Sequence, residues 1–156
     1  MTIQHVNSTD WPAHDHLGYW VGTLASAMRK GLEEELAPMG ATPAQWVILE
    51  AAFAGNADTL TALARIIPVD AAAISRQLDK LQQRGLVRRR RLRSDRRTVR
   101  IELTDAGREL VPQLAPRVAA NNHRFLAGIT EQERLNFIEI VQKMLTCGDE
   151  KPISEK

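Results

Sequence analysis

The sequence predicts a mainly α-helical chain that carries one small β-hairpin, and two observations lead to this fold class. Apolar residues recur at spacings of three and four along most of the 156 residues, which is the repeat of helices with one buried face. Between Val99 and Leu103 the repeat changes to two, because Val99, Ile101 and Leu103 alternate with Arg100 and Glu102. Such alternation is typical of a strand with one buried face.

The first two helices are predicted from their apolar repeat and from the residues that punctuate it. Pro38 and Gly40 end the first helix. Thr42 followed by Pro43 is a helix cap with a first-turn proline, so the second helix begins there and ends at Gly55–Asn56. The apolar face of the first helix consists of Leu17, Trp20, Val21, Leu24, Met28, Leu32 and Leu36.

Two more helices are predicted before the hairpin. Thr59 begins a short helix that Pro68 stops, and Asp70 caps a longer one that ends at Gly85. The buried face of the longer helix is predicted to be Ile74, Leu78 and Leu81.

The hairpin and the two helices after it complete the predicted order. Residues 86–91 read as the partner strand and residues 92–97 as the turn. Thr104 caps a helix that Pro112 and Pro116 are expected to bend or interrupt. A capping box at Thr130–Glu133 starts the last helix. The apolar face of that helix is Leu135, Ile138, Val141 and Leu145.

Two closely joined helices followed by a basic hairpin form a winged helix-turn-helix. We expect one domain over residues 1–156, with the winged unit at about 42–107 and flanking helices at about 10–40 and 108–147.

The charge of the chain is concentrated in the winged unit. The net charge is +2, but residues 65–100 hold twelve Arg or Lys against three acids, which leaves +9 there and −7 elsewhere. The stretch Arg88–Arg100 contains eight arginines and one acid, Asp95. Such a run is often a solvated face, an RNA-binding tail or a targeting signal. Here an alternating strand and a capped helix follow at once, so the run is predicted to be folded and to bind DNA.

The second helix of a helix-turn-helix lies in the DNA major groove, with its N-terminal residues at base edges. Ser75, Arg76 and Gln77 lie early enough to reach bases, and Arg76 has the geometry to bind guanine. Arginines of the hairpin are suited to the adjacent minor groove and to phosphates.

The stretch LDKLQQRGLVRRRRLRSDRRTVRIELTDAGREL, residues 78–110, resembles the recognition helix and wing of the MarR family of bacterial transcription regulators. The shared features are Gly-Leu-Val, a basic strand, Asp-Arg-Arg, an alternating strand and Leu-Thr followed by glycine. The resemblance implies a homodimer, formed by the N- and C-terminal helices, that reads a pseudo-palindromic operator in double-stranded DNA. It also implies a repressor that a small phenolic or aromatic ligand releases.

The resemblance places Asp95 and Arg97 at the wing tip, beside Arg93 and Arg96, and we expect Asp95 to orient the arginines by charge-assisted hydrogen bonds. Family members often carry Ser or Thr where this chain has Ala72 and Ala73. The predicted DNA-binding residues are Ser75, Arg76, Gln77, Lys80, Arg88, Arg90, Arg93, Asp95, Arg96 and Arg97. The candidate ligand-binding residues are Trp20, Met28, Arg29 and Trp46, and the two tryptophans are also typical core residues.

Other function classes receive little support from the sequence. The single cysteine, Cys147, has no sign of activation, and His5, His14, His16 and His123 lack metal-ligand spacing, so we expect no metal and no cofactor. We find no catalytic motif, no membrane-length apolar run and no secretory signal, and we therefore expect a cytoplasmic protein that is not an enzyme. A winged-helix module that binds protein or RNA remains the alternative.

Overall fold

The computed structural model describes residues 16–67, 70–91 and 99–149. Within these ranges the chain has six α-helices and a two-stranded antiparallel hairpin, in the order that the sequence predicts. The predicted fold class is confirmed. The chain forms two compact units, one up to Asn121 and one from Asn122 onward.

Helix α1 spans Leu17–Leu36 and continues into a 3-10 turn over Ala37–Met39, after which Gly40 takes a left-handed conformation with φ of 65°. Helix α2 spans Pro43–Phe53. Its capping box pairs Thr42 with Gln45: each backbone N–H donates to the other's side chain, at 3.3 Å in both cases. The predicted cap is therefore present, and it satisfies two N–H groups that a helix start would otherwise leave unpaired.

Helices α3, Leu60–Ile66, and α4, Ala71–Gln83, form the helix-turn-helix. Thr59 caps α3 by accepting from the Ala62 N–H at 3.1 Å, and Asp70 caps α4 by accepting from the Ala73 N–H at 2.7 Å. Both predicted caps are confirmed, as is Gly85, whose φ of 69° ends α4. Pro68, the predicted stop of α3, lies outside the described residues.

Strands β1, Val87–Arg91, and β2, Val99–Leu103, pair antiparallel with Arg89 opposite Ile101. The backbone before α3 extends this sheet, because Thr59 forms a bridge to Arg100 and the Ile101 N–H donates to the Asp58 carbonyl at 2.6 Å. The hairpin is thereby attached to the start of the helix-turn-helix.

Helix α5 spans Asp105–Leu126 without a break, so of the two expected effects of Pro112 and Pro116, a bend or an interruption, the interruption does not occur. Each proline removes one backbone hydrogen bond. Burial of Val111 and Leu114 in the core supplies packing that offsets those losses. The predicted Thr104 cap is confirmed, since its hydroxyl accepts from the Gly107 N–H at 3.1 Å.

Helix α6 spans Glu131–Asp149 and starts at the predicted capping box. The Thr130 N–H donates to Glu133 Oε2 at 2.8 Å, and the Glu133 N–H donates to Thr130 Oγ1 at 3.3 Å. The apolar face of α6 stays exposed, with Leu145 retaining 66% of its accessible surface.

The core of the first unit draws on α1 to α5 and the hairpin. Its most completely buried side chains are Leu36, Ile48, Leu49, Leu63, Ile74, Leu78, Leu81, Val87 and Leu114. Helix α1 contributes only its C-terminal end, because Leu17, Trp20, Val21 and Leu24 are exposed.

Candidate nucleic-acid interface

Helix α4 has one face buried in the core and one solvent-exposed face, which we call its open face. Ile74, Leu78 and Leu81 are at most 1% exposed, which confirms the predicted inner face. On the other side Arg76 and Lys80 are exposed, as expected for residues that meet a partner. The helix is therefore rigidly held and presents basic side chains outward.

Two of the predicted base-contacting residues, Ser75 and Gln77, are half-buried. The Gln77 amide oxygen is buried and has no hydrogen-bond partner among the described residues. Ala72, one turn before Arg76, is exposed, so the outer ridge of the first two turns carries a methyl group followed by a guanidinium.

The strand register divides the hairpin residues between two faces, because side chains alternate along a strand and directly paired residues share a face. One face carries Arg88, Arg90, Arg100 and Glu102. The other carries Val87, Arg89, Ile101 and Leu103, of which the three apolar residues are buried in the core.

The outer face of the hairpin is an ion-pair network. Arg88 Nε lies 2.8 Å and Arg90 Nη1 3.9 Å from the Glu102 carboxylate, while Arg100 Nε lies 2.8 Å from Asp58 Oδ2. The Arg88 and Arg90 side chains are 66% and 70% exposed. Exposed pairs contribute about 0–1 kcal/mol, so these two arginines can turn to a phosphate at little cost.

The predicted tip residues Arg93, Asp95, Arg96 and Arg97 lie outside the described residues. Their assignment remains a prediction.

Two further arginines hold the elements of the candidate interface together, and neither is among the site residues predicted from the sequence. Arg84, at the end of α4, donates to the Gly40 carbonyl at 2.5 Å and to Gln45 Oε1 at 3.3 Å. Arg89 on the inner face of β1 pairs with Asp79 of α4 at 2.5 Å. The alternation of the strand already separates Arg89 from Arg88 and Arg90, but its partner becomes visible only when α4 packs against β1.

The candidate ligand-binding residues occupy two helices. Trp20 is 57% exposed and packs edge-on against Tyr19, with 5.3 Å between ring centroids. Arg29 forms an ion pair with Glu33 at 2.8 Å. Met28 is half-buried, and its backbone carbonyl accepts a hydrogen bond from Asn121 Nδ2 at 3.1 Å. Trp46 packs against the core from α2.

An open groove of about 600 Å³ lies along α1. Gly18, Gly22 and Ser26 line it, and they lie close in sequence to Trp20 and Met28.

The remaining candidates can be placed briefly. Cys147 is exposed near the end of α6, and His123 is exposed on α5. His5 and His14 lie outside the described residues, among which no cluster of three metal-ligating side chains occurs. None of the described helices is long and apolar enough to cross a membrane.

Comparisons with known proteins agree with this geometry. Residues 41–99 match the model of the MarR family. The match covers α2, α3, α4 and β1, which is the part that carries the open face of α4. Residues 41–99 therefore contain a MarR-family domain.

Three solved structures illustrate the relationship. A MarR-family regulator from Silicibacter pomeroyi is 28% identical, with a TM-score of 0.76 over 95% of this chain and 100% of that one. A cysteine-to-serine variant of E. coli MarR complexed with operator DNA is 26% identical, with a TM-score of 0.77 over 83% and 93%. CouR from Rhodococcus jostii RHA1, bound to p-coumaroyl-CoA, shares the fold at 24% identity, with a TM-score of 0.78 over 86% and 95%. The chain thus has the winged-helix fold of MarR-family transcription regulators.

Proposed function

We propose that this chain is a dimeric repressor of the MarR type, which binds a pseudo-palindromic operator and which a small aromatic ligand releases from DNA. The observation that carries the proposal is the open face of α4, with Arg76 and Lys80 exposed beside a hairpin rich in arginine. A helix held in this way can enter the major groove while the hairpin reaches the adjacent backbone and minor groove.

Within this proposal the contacts divide by type. Arg76 reads a guanine edge, which is worth about 1–3 kcal/mol of discrimination against other bases. Ser75, Gln77 and Lys80 line the same groove, and Arg88 and Arg90 exchange Glu102 for phosphates. At the tip, Asp95 orients Arg93, Arg96 and Arg97, of which Arg97 enters the minor groove.

The exposed apolar faces support a dimer. Leu17, Trp20 and Val21 on α1 and Ile138 and Leu145 on α6 are each at least 40% exposed in a single chain. Exposed apolar patches of this extent usually mark an interface. A second copy of the chain would cover them, and a two-fold dimer would meet two half-sites of an operator.

The effector is proposed to be an aromatic carboxylate or phenol. Trp20, Met28 and Trp46 offer apolar and aromatic surface, and Arg29 offers a guanidinium for a carboxylate. The CouR structure with p-coumaroyl-CoA supports this chemistry, because its ligand carries a phenolic group.

Selection of duplexes from a random pool, followed by salt titration, tests the DNA-binding part. We expect an enriched pseudo-palindrome and an affinity that falls steeply with salt, because each neutralised phosphate contributes a slope of about −0.9. Arg76→Ala should lose preference for the enriched duplex, whereas Lys143→Ala, which removes a cation from α6, should not. No preference over random DNA at physiological salt, together with saturable binding of RNA or a protein, would favour the alternative function.

The ligand part has its own test. A thermal-shift screen of phenols and aromatic carboxylates should find compounds that raise the melting temperature. The same compounds should release the protein from the enriched duplex. Compounds that stabilise the protein and leave DNA binding unchanged would contradict the release mechanism.

A further inference from the structure

We propose that Arg89 is a positioning residue: together with Asp79 it fixes the wing against the recognition helix, and it does not contact DNA. The proposal rests on the DNA-binding function above and assigns a role that the charge of Arg89 alone would not suggest, since it lies in the middle of the run Arg88–Arg91.

The Arg89 guanidinium contacts α4 at two points. Nη1 lies 2.5 Å from Asp79 Oδ1, and Nη2 donates to the Ser75 carbonyl at 3.2 Å. Ser75 and Asp79 are four residues apart and thus neighbours on one side of the helix. A planar guanidinium that binds two points one helical turn apart fixes orientation as well as distance, which a single contact cannot do.

Arg88 and Arg90 provide the contrast. They lie on the opposite face of β1, and their partner Glu102 belongs to the hairpin itself. When either turns toward a phosphate, no connection between the hairpin and α4 is lost. The Arg89 side chain is only 30% exposed, less than half the exposure of the other two, and its bonds join the two DNA-facing elements.

This geometry matters because the major-groove helix and the wing must fit one DNA duplex at the same time. Attachment of β2 through Asp58 secures the hairpin on the side of α3. Arg89 secures it on the side of α4. If Arg89 is removed, the hairpin keeps its strand pairing but loses its fixed angle to α4. The two elements then cannot both make their full DNA contacts at the same time, so the duplex is bound more weakly.

The test measures binding of the full chain to the duplex enriched above. Asp79→Ala removes a negative charge, so electrostatics alone would tighten binding. Positioning predicts the reverse, a loss of about tenfold, equal to that of Arg89→Ala and not increased in the double variant. The charge swap Asp79→Arg with Arg89→Asp should recover part of the loss. Arg88→Ala, one residue away on the other face, is the matched control.

Salt dependence separates positioning from contact. The slope of log affinity against log salt is negative, and loss of a phosphate contact decreases its magnitude by about 0.9. We expect that decrease for Arg88→Ala and an unchanged slope for Arg89→Ala. Tighter binding by Asp79→Ala, or a decrease in the magnitude of the slope for Arg89→Ala, would overturn the proposal.

Hydrogen exchange measured without DNA tests the positioning role of Arg89 independently of the proposed DNA-binding function. Amide hydrogen exchange of β1 and β2 should quicken in Asp79→Ala, which leaves the hydrophobic core intact, and should not quicken in Arg88→Ala. If the wild type prefers no duplex, the proposed function fails, and unchanged exchange in Asp79→Ala would then refute the positioning role independently.

Discussion

The winged part of the chain, from α2 to β2, and the last helix, α6, both carry apolar residues at helical spacing, yet only the winged part buries most of them. Leu78 of α4 is 1% exposed, whereas Leu135 and Leu145 of α6 are 47% and 66% exposed. An apolar repeat thus indicates which face of a helix avoids water, but not whether the same chain covers it. The winged part closes its core with α1 and α5 of the same chain, and we infer that α6 requires a second copy.

The two regions also start their helices differently. Helix α2 uses a capping box of Thr42 and Gln45, and α6 uses one of Thr130 and Glu133. Only the second contains a group that titrates, so the stability of α6 depends on pH in a way that the start of α2 does not.

The largest expected effect is that of a truncation in the closed core. Leu78→Ala should lower the free energy of unfolding by about 2–5 kcal/mol, because a fully buried leucine leaves a cavity. Denaturant unfolding monitored by circular dichroism measures this loss. The loss should be the same at low and high protein concentration, and a loss below about 1 kcal/mol would show that the core can collapse around the gap.

Matched truncations on α6 should have a smaller effect per site, and that effect should depend on protein concentration. In a monomer, Leu135→Ala with Leu145→Ala would change stability by about 0.5 kcal/mol or less per site, since both are exposed. If a second copy buries them, each contributes about 1.5–3 kcal/mol to the dimer.

Sedimentation and unfolding across protein concentrations distinguish these cases. We expect the wild-type unfolding midpoint to rise with concentration and the double variant to dissociate at concentrations where the wild type is dimeric. A midpoint that is independent of concentration in both proteins would show that α6 is not covered by a second copy.

The smallest expected effect concerns the capping box of α6. The pKa of Glu133 lies below its ordinary value of 4.5, because the Thr130 hydroxyl and then the Thr130 N–H donate to its carboxylate. The pKa of Glu131 is also lowered, chiefly by its hydrogen bond from Arg134. A folded-state pKa below the unfolded one means that the stabilisation is present above about pH 4.5 and is lost as pH falls through the lowered value.

Glu133→Gln should therefore preserve the box, as Gln45 does in α2, and reduce the acid-dependent loss of α6 helicity. Circular dichroism between pH 7 and pH 3 measures the difference. Glu34→Gln, the same replacement on the exposed side of α1, should leave the wild-type pH dependence intact. An unchanged acid profile in Glu133→Gln would show that the box contributes nothing measurable.

The sequence predicted each α-helix and both strands of the described ranges, but not the 3-10 turn over Ala37–Met39. Caps at Thr42, Thr59 and Asp70 appear where they were predicted, because a cap is a local hydrogen bond between residues three apart. The interruption at Pro112 and Pro116, one of the two effects expected of these prolines, does not occur, and the reason is non-local. Packing of α5 in the core offsets the backbone hydrogen bonds that the prolines remove.

The candidate interface was predictable only in part. Side-chain alternation predicts that Arg88 and Arg90 share a face and that Arg89 does not, and the apolar repeat of α4 predicts that Arg76 and Lys80 point outward. Neither pattern predicts which acid pairs with which arginine, since these partners come from different elements.

The sequence by itself therefore determined the order of helices and strands, their caps and the face that each turns away from water. These features depend on residues within one or two turns of each other. Tertiary structure alone decided that Arg84 would tie α4 to Gly40, that Asp58 would hold Arg100, and that Arg89 would clamp the wing to α4. The physical reason is that such partners are brought together by packing of the core, so no local repeat in the sequence encodes them.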